Sequence, residues 1–190
     1  RDYYASRGLG DVYKRQVMDS RISFYALCAL MFSVGLSVGN DPQTLKNFRS
    51  LNPRLVFLPI MTILGTLAGS AAVSLILTHR SLTDCLAVGS GFGYYSLSSI
   101  FITEYKGAEL GTIALLANIS REILTLLAAP LLVRWFGNLA PISAGGATTM
   151  DTTLPIITRT AGQQFVVVSI FHGFVVDFSV PFLVTLFCSI

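Results

Sequence analysis

The sequence predicts an all-α, polytopic membrane protein, and three observations carry that expectation. Hydrophobic residues make up 53% of the 190 residues and charged residues only 12%, against about 25% charged in an ordinary soluble domain. A soluble domain of this length cannot hide so much apolar surface, and mean hydropathy is +0.67. The apolar residues also cluster in about six runs, each near the roughly 20 residues a helix needs to cross the hydrocarbon layer.

The first sixteen residues, RDYYASRGLGDVYKRQ, stand apart. They are polar, contain no apolar stretch and end in no small-residue cleavage site, so they do not form a secretory signal. They resemble translated adapter read-through, and we expect a non-native leader at 1–16 before a membrane transport domain at 17–190. Four of the thirteen basic residues lie in this leader. The rest of the chain is almost neutral, which argues against a nucleic-acid partner. The partner it needs is the lipid bilayer.

The first apolar segment is expected from Ile22 to Gly39. A polar loop with Lys46, Arg49 and Arg54 follows. The second segment, Leu55 to Leu77, has Pro59 near its start, where proline costs least. Its Gly65 and Gly69 form a G-x-x-x-G helix-packing signature. The third, Leu82 to Ile102, is interrupted by GSGFGYYSLSS, too rich in glycine and serine for a uniform helix. The fourth runs from Ala108 to Phe136, long enough to tilt or to kink at Pro130. The fifth, Leu139 to Ile157, is broken by APISAGGATTMDTTLP. The sixth, Phe165 to Cys188, is apolar apart from His172, Asp177 and small hydroxyl residues.

Segments three to six read as an internal repeat at an offset of 55 residues. Gly91 falls on Gly146, Ile102 and Thr103 on Ile157 and Thr158, and Gly107 on Gly162. Ser96 falls on Asp151 and Glu122 on Asp177. Irregular backbone within a membrane is tolerated only where protein or a water cavity covers it. Segments three and five are therefore preferably re-entrant, which makes the two units inverted repeats. A six-span arrangement would make them parallel. Charge does not choose, because both arrangements place five cations inside and three outside.

The chemistry-bearing residues lie in the membrane segments. NISRE, Asn118 to Glu122, places ionised groups inside the fourth apolar run, where each costs about 2.5–3.5 kcal/mol on insertion scales. Asn118, Glu122 and Thr125 share one helix face, and Arg121 points about 100° away from Glu122. Asp177 shares a face with Ser169 and Gly173, with His172 near its edge. His172 alone more often reads as a satisfied core histidine, but we place it with Glu122, Arg121, Asn118, Asp151, Asp177, Ser96 and Ser98 among the candidate substrate- or proton-binding residues. Asp151 lies among glycines and threonines in a broken segment, where free helix ends offer N–H groups to an anion and carbonyls to a cation. Ser96 and Ser98 lie in the other broken segment, after Tyr94 and Tyr95, which read as cavity lining or, by default, as interface anchors. No Gly-Lys-Ser/Thr follows a glycine run, so no nucleotide is implied. No cofactor motif is present. Cys28, Cys85 and Cys188 stand singly, with neither metal spacing nor a disulfide framework.

Four stretches carry a family resemblance: GSGFGYYSLSSIFITE, SREI, GGATTMDTTLPIITR and IFHGF around His172. In this order and spacing, from about Phe24 onward, they resemble the LysO-type lysine exporter family. The resemblance implies a multi-pass protein of the bacterial inner (cytoplasmic) membrane that exports L-lysine and its toxic analogues. It implies that the acid of the Arg-Glu pair, here Glu122, is essential. Related proteins carry the two halves as separate polypeptides, so a small N-terminal-half membrane protein or a homo-oligomer is an expected partner. Lysine bears two ammonium groups and a carboxylate. Glu122, Asp151 and Asp177 suit the former; Arg121 and the broken helix ends suit the latter. Exchange for a proton would use one acid as shared carrier. The alternatives are an intramembrane aspartyl enzyme using Asp151 and Asp177, an exporter of another amino acid, or a non-transporting membrane subunit. Against the enzyme, GSGFG is followed by Tyr94 and not by an acid.

Overall fold

A computed structural model describes residues 53–77 and 79–190. The leader, the first apolar segment with Cys28, and the side chains of Lys46, Arg49 and Arg54 lie outside the described residues. The described chain is helical, with no strand among its elements. A 3₁₀ turn, Pro53–Phe57, leads into α1, Leu58–Ile76, with Pro59 in its first turn. The third sequence segment is two helices, α2 at Leu82–Gly89 and α3 at Tyr95–Lys106. The fourth is one helix, α4, Ala108–Phe136, continuous through Pro130. The fifth is α5, Ala140–Gly145, a 3₁₀ turn Gly146–Met150, and α6, Leu154–Ala161. A short 3₁₀ turn then precedes α7, Val166–Ser189. Three stretches, Leu55–Ile76, Ala108–Phe136 and Gln163–Ser189, are long and apolar enough to cross a membrane.

Local chemistry explains the boundaries. Ser81 caps α2, its hydroxyl accepting from the Asp84 N–H at 3.0 Å. Helix α3 stops at Gly107 and α6 stops at Gly162, with φ of 93° and 113°, a region where a side chain is strained. The Gly107 N–H donates to the Thr103 carbonyl at 3.0 Å, and the Gly162 N–H donates to the Thr158 carbonyl at 3.2 Å. Both the glycines and the threonines are 55 positions apart. Ile102 and Ile157, a matched pair in the same turns, are both fully buried. The repeat read from the sequence is thus a repeat of turn geometry.

Both broken segments fold back on themselves. Arg80, just before α2, pairs with Glu109 in the first turn of α4. Asp84 in α2 lies 3.6 Å from Lys106 at the end of α3. The start of α2 and the end of α3 therefore sit at one end of α4, and α2–α3 is a hairpin whose tip points inward. The second hairpin enters from the opposite end. Leu139 and Ile142 at its start pack in one cluster with Ala161, Phe165 and Val168 at its exit, and with Val133 near the end of α4. At their tips the hairpins touch: the Ala147 N–H donates to the Phe92 carbonyl at 2.9 Å. These two residues are also 55 positions apart.

The outer faces of the long helices remain apolar and exposed, as at Leu75, Leu127 and Phe136, which suits lipid contact. The G-x-x-x-G of α1 is not used as a packing surface among the described residues: nothing lies within 4 Å of a Cβ built at Gly65 or Gly69.

The hairpin geometry gives a topology test. Single cysteines at Lys106 and Gln163 should lie on opposite membrane faces. An impermeant thiol reagent applied to intact cells should label one position and spare the other. Equal labelling or equal protection of both contradicts the opposed hairpins.

Candidate functional site

The site lies where the two tips meet, and α4 and α7 hold it. Asn118 on α4 pins the first tip. Its Oδ1 accepts the Gly93 N–H at 2.8 Å, while its Nδ2 donates to the Val88 carbonyl at 3.2 Å and the Ala114 carbonyl at 2.9 Å. The tip is tightly wound: Phe92 has a positive φ of 46° and Gly93 one of 94°. Ser98 donates back to the Tyr94 carbonyl at 2.8 Å. Ser98 is buried, and Ser96, two residues earlier, is exposed at the head of α3.

Arg121, one turn further along α4, serves the second tip. Its Nε donates to the Ala144 carbonyl at 2.8 Å and its Nη2 to the Ser143 carbonyl at 3.0 Å. Its Nη1 donates to Thr66 Oγ1 at 3.4 Å, and its Cζ lies 5.8 Å from the centre of the Phe92 ring. A cation at the carbonyl end of a helix is electrostatically favourable. The expectation that Arg121 receives a substrate carboxylate meets a guanidinium already committed on all three nitrogens.

On the α7 side, Thr149 Oγ1 lies 2.9 Å from the carbonyls of Gly146 and Ser169 and 3.2 Å from His172 Nδ1. His172 Nε2 lies 2.9 Å from Thr62 Oγ1 on α1. The threonine hydrogen serves a carbonyl, so Nδ1 donates to Thr149 and Nε2 accepts from Thr62. His172 is fully buried, and its two ring nitrogens tie α7 to Thr149 of the second tip and to Thr62 of α1.

The acids occupy different environments. Asp151 is exposed at the second tip, and its Oδ1 accepts the Thr152 N–H at 2.6 Å. Asp177 is only 4% exposed on α7. No fully enclosed side-chain polar atom lacks a partner among the described residues, so the unbonded carboxylate oxygens of Asp177 reach accessible space. Asp177 lies one turn along α7 from Gly173, where a built Cβ would lie 2.7 Å from the Met150 backbone nitrogen, next to Asp151. Glu122 stands half-buried at the margin of the buried α4 face, with no hydrogen bond or ion pair among the described residues. The second tip with Asp151 thus packs against α7 one turn from Asp177, while Tyr94 and Ser96 follow the first tip at the head of α3. Asn118, Arg121 and His172 hydrogen-bond to the tips, and Ser98 bonds back to Tyr94. No group of three metal-ligating side chains occurs among the described residues.

Sequence reasoning missed the α1 contribution. Thr62, Thr66 and Ser70 recur every four residues in an otherwise apolar helix, and they face His172, Arg121 and Gly89. That spacing was the available signal.

The family model described as "Lysine exporter LysO" matches residues 7–188. The chain belongs to the lysine exporter LysO family. It is 36% identical over 167 residues to the lysine exporter LysO of Escherichia coli, an overlap of 88% of this chain and 55% of that protein. It is 35% identical over 167 residues to a putative lysine exporter of Haemophilus influenzae, an overlap of 88% and 84%. The chain thus spans about half the length of the Escherichia coli relative. No solved structure matches it.

Tip contact makes one glycine of this LysO-family chain sensitive. Gly146 has φ of 65°, and a Cβ there would collide with the Phe92 carbonyl. Gly137 has φ of 88° with open space around it. Gly137→Ala should cost only the backbone strain, about 1–3 kcal/mol. Gly146→Ala should cost clearly more, read as a larger drop in melting temperature in detergent. Equal losses would show that the tips do not meet there.

Proposed function

We propose that this chain carries the substrate passage of an L-lysine exporter of the bacterial cytoplasmic membrane, working in exchange for protons and also removing toxic lysine analogues. The observation that carries the reading is the meeting of two opposed hairpin tips beside Asp151 and Asp177. Membrane segments avoid such breaks and such acids unless they line a passage. Free helix ends near mid-membrane bind charged groups of either sign.

A lysine has complementary parts. Asp151 on the second tip and Asp177 on the spanning helix suit its ammonium groups. The Ser96 and Leu97 N–H groups in the first turn of α3, with the Ser96 hydroxyl, suit its carboxylate, because those N–H groups lack helical acceptors. Glu122 holds a carboxylate with no hydrogen bond or ion pair among the described residues, on the helix that follows the first hairpin. Its sequence offset from Asp177 is the repeat offset, so the two acids occupy matched positions on α4 and α7. One acid carries the proton when the other carries substrate. The bilayer covers the apolar faces, and an N-terminal-half membrane protein or a second copy completes the assembly.

Glu122→Gln keeps shape and removes charge. Cells relying on this chain for resistance to a toxic lysine analogue should fall to the transporter-free level while the protein remains in the membrane. Unchanged resistance excludes Glu122 from the passage. A cysteine replacing Asp151 should react with a small hydrophilic thiol reagent, and excess lysine should slow that reaction. Labelling indifferent to lysine places Asp151 outside the site.

A further inference from the structure

We propose that Arg121 is a positioning residue: it ties both hairpin tips to the long helix and so fixes the place of Asp151, and it does not ligate the substrate. The geometry points to this from three directions. Two of its nitrogens bind successive carbonyls, Ser143 and Ala144, at the carbonyl end of α5. A third reaches Thr66 on α1. Its Cζ also lies 5.8 Å from the ring centre of Phe92, the residue whose carbonyl receives the second tip. One side chain thereby touches the first tip, the second tip and α1.

The link to Asp151 runs through the second tip itself. Ser143 and Ala144 precede Gly145, whose carbonyl accepts from Thr148 Oγ1 at 3.0 Å. The Thr148 carbonyl accepts in turn from the N–H groups of Asp151 at 3.2 Å and Thr153 at 3.0 Å. Holding Ser143 and Ala144 therefore orients the turn that presents Asp151. The first tip is hydrogen-bonded by a neutral amide, that of Asn118, and among the described residues Arg121 meets it at the Phe92 ring and not through a hydrogen bond. The second tip carries an acid where the first carries Ser96, so the cation accompanies the tip that has the negative charge. The fit is close: a Cβ at Gly146 would lie 3.3 Å from Arg121 Nη2.

The role in export rests on the proposed function above, but the positioning can be read separately. In the full chain with its own cysteines replaced, a cysteine is placed at Thr152, which is exposed beside Asp151. Its reaction rate with a small hydrophilic thiol reagent is measured in membranes with Arg121, Arg121→Gln and Arg121→Lys. Loss of charge-assisted bonds to the tip should raise the rate by about tenfold in Arg121→Gln. Arg121→Lys should give a smaller rise, because an ammonium keeps the charge but loses the fork. Efflux is then measured without the added cysteine, with lysine and its decarboxylated analogue cadaverine as competing substrates. A positioning role lowers the maximal rate in Arg121→Gln and leaves the lysine-to-cadaverine preference unchanged. A carboxylate ligand would instead lose that preference, which overturns the proposal. So does an unchanged thiol rate in both variants. If Arg121→Gln does not accumulate, Arg121→Lys supplies both readings. Absence of lysine efflux from the unsubstituted chain defeats the export reading, while the thiol rates still decide the role of Arg121.

Discussion

Everything in this fold depends on one constraint: two helices are interrupted inside a hydrophobic slab, and their free backbone groups must find partners there. An unpaired buried peptide group costs several kcal/mol in such surroundings. The chain meets this by letting the interruptions serve each other. The Phe92 carbonyl takes the Ala147 N–H, Asn118 takes the Gly93 N–H, and Arg121 takes the Ser143 and Ala144 carbonyls. The spanning helices α4 and α7 are scaffolds for these contacts before they are anything else. The same contacts leave the N-terminal ends of α3 and α6 at the tips, which is where a charged ligand gains most from a helix end.

Two-fold repetition explains the economy of the arrangement, and its departures explain the chemistry. Turn glycines, their threonine partners and buried isoleucines recur at one offset. The two units enter from opposite ends of α4, as the ion pairs of the first and the apolar cluster of the second demonstrate. The tips differ in charge. Ser96 at the first corresponds to Asp151 at the second, and the second is the one whose carbonyls Arg121 binds. A repeated scaffold thus presents two tips of different charge.

Much of this was legible in the sequence because its cause is local. Glycine and serine in GSGFGYYSLSS cannot continue a helix, and the break falls there. The apolar run from Ala108 to Phe136 has no such interruption and is one helix. The re-entrant preference followed from solvation alone, and the ion pairs of Arg80 and Lys106 agree with it. What was not legible depends on three-dimensional meeting. Helical spacing gives the angle of Arg121 but not the carbonyls it finds, since these belong to a segment more than twenty residues away. Tyr94 has the composition of either an interface anchor or a cavity lining, and spacing along the chain does not choose between them. Gly65 and Gly69 carry a packing motif with nothing packed on it among the described residues.

The meeting of the tips is the claim on which site and function both stand, and cross-linking in native membranes tests it most directly. Cysteines replace Phe92 and Ala147 in a chain otherwise free of cysteine, with a protease site placed in the Lys106 turn. Mild oxidation followed by cleavage should leave the two fragments joined, and reduction should release them. Fragments that separate without reduction, under conditions where either cysteine alone is unmodified, would contradict the account.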